Sequence, residues 1–138
     1  MVSLNCLLYE HEPTLTCIIP VEVNLSETIG VLREKIWEKY PEWKTTINVD
    51  RLVVYTPKTP ISTASEEIFN GTLKNLNLGT AEGRDLVLDQ LNVTSYVKDY
   101  PSLKEAAKNQ LHVIAFVLEG WSRLYYLSRC YLLIIYPL

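Results

Sequence analysis

The chain has 138 residues, 48% of them apolar and 21% charged, the composition of one ordinary globular domain long enough to bury a working core. Thirteen basic and sixteen acidic residues leave a net charge of −3; residues 121–138 hold Arg123, Arg129 and no acid, so the body before them stands at −5 and gives no electrostatic reason for nucleic-acid binding. The three cysteines, Cys6, Cys17 and Cys130, are odd in number and lack metal-ligand spacing, which excludes a disulfide scaffold.

The first residues carry no basic region, and their apolar run is too short for an ordinary secretory signal. Residues 3–9 and 14–23 read as two strands. In the second, Leu15, Cys17, Ile19, Val21 and Val23 alternate with more polar positions, the period of a half-buried strand. Glu10-His11-Glu12-Pro13 between them predicts a hairpin turn. One amphipathic helix follows over 26–40. Ser26 is its expected N-cap, Glu27 suits the positive end of the helix dipole, and Ile29, Leu32, Ile36 and Tyr40 share a face. Lys35 and Glu38 are spaced to pair, and Pro41 should stop the helix.

Asp50-Arg51-Leu52-Val53-Val54-Tyr55 predicts a third strand, ended by Pro57. Residues 56–85 are rich in Pro, Gly, Ser, Thr and Asn, and read as a long irregular insertion with a helical turn at 65–69. A short strand within 86–97, a short helix over 102–110 and an apolar last strand over 111–118 complete the body. A hairpin, a helix, a third strand and a final strand predict an α+β fold, a mixed sheet packed on one main helix. That order begins the β-grasp arrangement. The run from Ile18 to Tyr40, with Arg51-Leu52-Val53-Val54 and Leu111-His112-Val113-Ile114, resembles ubiquitin's second strand, helix, third and last strands.

Val2-Ser3-Leu4-Asn5-Cys6-Leu7-Leu8 together with Ser26-Glu27-Thr28-Ile29-Gly30, Leu32 and Ile36 resembles the opening of Crinkler effectors, modular proteins of oomycetes and some fungi. Leu88-Asp89, Leu91, Ser95-Tyr96-Val97 and Pro101, then His112-Val113-Ile114, resemble the segment that closes that family's N-terminal domain. The resemblance spans about residues 2–118. It implies a ubiquitin-like N-terminal domain, residues 1–119, linked with secretion and translocation into host cells. The chain departs from the family in two places. Leu52-Val53-Val54-Tyr55 stands where oomycete members carry a Leu-Phe-Leu-Ala-Lys delivery motif, and Phe116-Val117-Leu118-Glu119 replaces the proline of the closing motif.

No catalytic constellation, Gly-rich phosphate loop or cofactor motif is present in the sequence, so we expect a non-enzymatic protein with no cofactor or metal. The expected partner is a protein, and the alternative to a delivered effector domain is a ubiquitin-like adaptor working in its own cell. Val53, His112 and Ile114 fall where ubiquitin binds partners and are the candidate partner surface; the competing reading has them facing the helix or the 56–85 insertion. His112 otherwise reads as a strand histidine at a surface edge. Cys6 and Cys17 are placed to face each other across a hairpin turning at 11–12, and we expect free buried thiols rather than a disulfide. Asn24, Asn70 and Asn92 each begin an Asn-x-Ser/Thr sequon, which matters only in a secretory pathway.

Residues 120–138 form an apolar tail with five aromatics and no acid after Gly120, too short both for an effector domain and for the ~20 apolar residues of a membrane-spanning helix. We expect a truncated or mis-spliced remnant; the alternative is that Leu124, Leu127, Tyr131 and Ile134 form a helix docked on the body. If the tail is a remnant, a chain ending at Gly120 keeps its melting temperature and gains solubility. A drop of several degrees in a thermal melt would make the tail part of the fold.

Overall fold

The computed structural model describes residues 1–9, 18–39, 48–78 and 80–117; the predicted hairpin turn, Leu15, Cys17, Tyr40 and the tail lie outside them. Strand β1 (Val2–Leu8) pairs antiparallel with β2 (Ile18–Val23), and helix α1 (Ile29–Glu38) follows. After a 3-10 turn at Val49–Arg51 come β3 (Leu52–Pro57), the short β4 (Ile61–Ser62), α2 (Glu66–Asn75), α3 (Ala81–Val87) and β5 (Leu88–Gln90). A 3-10 turn at Val97–Asp99, α4 (Pro101–Lys104), β6 (Gln110–Leu111) and β7 (Val113–Val117) close the domain. The main sheet has the order β2-β1-β7-β3-β5, and β4 and β6 make a separate two-stranded pair. β7 lies parallel to β1 and antiparallel to β3. The α+β fold with a mixed sheet is therefore present, in the β-grasp order.

Strand alternation sorts the apolar residues into two cores. Leu4, Cys6, Leu8, Val21, Leu52, Val54, Val113 and Ala115 point to the face covered by Ile29, Leu32 and Ile36 of α1. Ile19 is half-buried beside them. Leu7, Tyr55, Ile114 and Phe116 point the other way, against Ile61, Phe69, Leu73, Leu78 and Leu88. The sheet is thus covered on both faces, which explains the nearly unbroken apolar reading of β7.

Several boundaries differ from the sequence reading. Thr28, not Ser26, caps α1: its hydroxyl accepts from the Val31 amide, and the helix begins two residues later than a Ser26 cap implies. Glu27 belongs to the preceding turn, where its carboxylate accepts from the Asn24 amide. Lys35 meets Glu27 at 3.2 Å and the Glu22 carbonyl at 3.1 Å, rather than Glu38. The third strand begins at Leu52, because Asp50 and Arg51 belong to the 3-10 turn. Cys6 faces Ile19, not Cys17, and is a buried free thiol whose proton burial holds tightly.

The largest correction concerns the insertion. It holds two helices, with Ser65 capping α2 and Thr80 capping α3. Gly71 stands exposed within α2 at some cost in helix propensity, but Phe69 and Leu73 bury one flank and hold it to the sheet. Gly83 is required by close approach: a Cβ there would overlap the Asn77 carbonyl. The expected helix over 102–110 shrinks to α4, and the expected single strand 111–118 breaks at His112 between β6 and β7.

Leu32 is fully buried on the α1 face. Leu32→Ala should cost roughly 2–5 kcal/mol, the range for a large-to-small core change, read from urea melts. A loss below about half a kcal/mol would mean that this face carries no core.

Candidate functional site

The three residues chosen from the sequence do not form an exposed patch. Val53 is half-buried, while His112 is 4% and Ile114 0% exposed. Val53 and Ile114 lie on the second sheet face, and α2 with α3 covers what an open β-grasp would present there. The sheet face under that cover is aromatic. The Phe116 ring lies 4.9 Å from Tyr9 and 5.3 Å from Tyr55, with the Arg84 guanidinium 5.0 Å from its centre. The segment Leu52-Val53-Val54-Tyr55, at the delivery-motif position, is the buried first part of β3.

His112 is not a surface-edge histidine but the knot between β1 and β7. The Asn5 amide donates to its Nδ1 at 2.9 Å, its own amide donates to the Asn5 carbonyl at 3.0 Å, and its Nε2 lies 2.7 Å from the Ala107 carbonyl. With Nδ1 accepting, Nε2 carries the proton and donates, so both ring nitrogens are used by one tautomer. The Asn5 side chain then donates to the carbonyls of Lys108 and Gln110 at 2.9 and 2.8 Å. Burial lowers the His112 pKa below its ordinary 6.5, against the smaller opposing pull of the Ala107 carbonyl.

The residues between β5 and the second 3-10 turn lie as a strap across the start of α1. The Ile29 and Gly30 amides, which no helical carbonyl can reach, donate to the carbonyls of Ser95 and Val93 at 2.8 and 3.0 Å. The 3-10 turn that ends the strap answers with the Val97 and Lys98 amides on the carbonyls of Glu27 and Leu25. A Cβ on Gly30 would meet the Val93 carbonyl at 3.3 Å, so a small residue suits this contact. Val93 and Tyr96 on the strap are exposed, as are Ile68 of α2 and Leu86 of α3. The sequence reading missed these four.

The sequons differ in their surroundings. Asn70 lies inside α2, its Oδ1 shut from solvent, and the Thr72 hydroxyl donates to the Ile68 carbonyl. Asn92 stands exposed in a turn closed by its own Oδ1, which accepts from the Thr94 amide and hydroxyl.

A groove of about 600 Å³ runs between β2 and the second half of α1, lined by Pro20, Glu22, Lys35, Glu38 and Lys39 among others. It borders the edge of the sheet at β2, which pairs with no further strand among the described residues, and that edge is blunted. Asn5 turns its backbone groups toward His112, so its β2 partner Pro20 faces outward; by the period of two, so do Ile18 and Glu22. Pro20 has no amide hydrogen to offer a new strand, and Lys35 occupies the Glu22 carbonyl. Among the described residues, no group of three or more His, Cys, Asp or Glu side chains could hold a metal ion, and no helix is long and apolar enough to cross a membrane.

The strand order and two-sided cover define a β-grasp domain with a helical insertion closing its second face. The family described as Crinkler effector protein N-terminal domain matches residues 2–116, and the chain belongs to that family. No curated protein and no solved structure matches it.

The blunted edge yields a prediction. Replacing Pro20 with Val and Lys35 with Ala together should restore free donors and acceptors and raise self-association, seen as a larger hydrodynamic mass at unchanged circular dichroism. A monomer as clean as the parent would show that these two groups do not guard the edge.

Proposed function

We propose that this chain acts as a non-enzymatic N-terminal domain of the Crinkler type, serving secretion and translocation into host cells through contact with a protein partner. The observation that carries the proposal is the extent of the family match: residues 2–116 take in nearly the whole described fold, both sheet edges and both cores. The net charge of −3 favours a protein partner over nucleic acid. The partner meets the outside of the domain, because the face carrying Val53 and Ile114 is filled by the insertion.

The test is delivery. The full chain, tagged with a small fragment of a split fluorescent protein, is expressed in the producing organism, and the complementary fragment in host tissue. Fluorescence inside host cells on contact is the expected result. Secretion without host fluorescence would remove the translocation step. Retention in the producing cell would replace the delivery role with that of an adaptor working in its own cell.

A further inference from the structure

His112 is a buried titratable group that the proposed delivery role does not use, and its surroundings give it a second property. It sits where the chain leaves the β4–β6 pair and enters β7, at the seam with β1. Nδ1 is engaged only as an acceptor, from the Asn5 amide; Nε2 is engaged only as a donor, to the Ala107 carbonyl. A proton added from solvent to Nδ1 turns that acceptor into a second donor, aimed at the Asn5 N–H 2.9 Å away. The imidazolium would also be a buried charge without a counter-ion among the described residues.

The described elements packed at this joint offer no compensation. β1, β4, β6 and β7 contain no acidic or basic side chain, their only titratable group being the Cys6 thiol, which burial keeps protonated. On the neighbouring segment, Lys104, Glu105 and Lys108 are exposed to solvent. Of these residues, Lys108 touches the knot through its carbonyl, on the Asn5 side chain.

We propose that the His112 joint is an acid-sensitive latch: a second proton on the imidazole opens the parallel seam between β1 and β7 at Asn5. In the folded state the ring resists protonation, whereas in the unfolded chain it titrates near its ordinary 6.5. The stabilisation from neutral His112 is therefore complete above about pH 6.5 and is lost as pH falls below it toward the folded value. Opening at this point also frees the Asn5 side chain from the carbonyls of Lys108 and Gln110, so the loop before β6 goes with the seam.

The test uses the full chain with carbon-13 in its histidine rings, so that His112 is followed beside His11 as pH is lowered. The expected result is a His112 ring that stays neutral below its ordinary 6.5, until the Asn5 and His112 amides lose protection against exchange together. Urea melts of the parent and of His112→Gln, which keeps a donor and an acceptor without titrating, measure the linkage. Through the window the parent's folded-to-unfolded ratio should fall up to about tenfold per pH unit faster than the variant's, the consequence of one extra proton taken up on unfolding. If the variant does not fold, the ring titration and the amide exchange of the parent decide alone. Protonation of His112 in its ordinary range with both amides still protected would overturn the latch.

Discussion

Strand β1 is the member that ties the two cores of the domain together. It gives one edge to β2 and the other to β7, and it buries side chains on both faces. Leu4, Cys6 and Leu8 meet the α1 core while Leu7 meets the insertion core. A strand used on four sides tolerates no slip in register, because a shift of one residue would exchange its two faces. Asn5, polar like Ser3 in the same strand, is used for the same end. The backbone of Asn5 and its amide side chain hold His112 and the carbonyls of Lys108 and Gln110, which fixes where β7 begins.

This arrangement changes where a partner can meet the domain. The ubiquitin-like expectation places contacts on the second sheet face, but in this chain Phe69 and Leu73 of α2, with Leu78 from the loop before α3, fill that face. Among the described residues, the large exposed apolar side chains lie elsewhere, at Met1, on the strap at Val93 and Tyr96 and on the outside of the insertion at Ile68 and Leu86. Leu52-Val53-Val54-Tyr55 belongs to a central strand whose Leu52 and Val54 are buried. A receptor that reads extended chain could not read this segment in the folded domain, whereas a receptor that reads shape would meet the strap and the helices.

Much of the fold was legible because its signals are local. Ile29, Leu32 and Ile36 repeat at helical spacing and occupy the core as read. The alternation in Ile18–Val23 and the β-branched and aromatic run at Leu52–Tyr55 marked two strands. The cap of α1 was misplaced because Ser26 and Thr28 are both good capping residues, and only the grip of the 3-10 turn after the strap on Glu27 and Leu25 decides between them. The insertion was misread because Gly71, Gly83 and frequent polar residues weaken a helical pattern that tertiary burial of Phe69 and Leu73 then rescues. His112 was misplaced for a related reason. Its acceptor and donor partners lie in β1 and in the loop at Ala107, and no spacing along the chain announces them.

The parallel seam between β1 and β7 has a consequence for the order of events at synthesis. Asn5 and His112 are 107 positions apart, so the second neighbour of the first strand is among the last parts of the domain to be made. Until then β1 has only β2 and α1 for support, and a lone hairpin with one helix leaves its other edge and the insertion-facing Leu7 uncovered. Contacts of such long range make folding slow. During that interval the emerging chain is extended and unfinished, a form in which cellular machinery that handles unfolded polypeptide can still engage it.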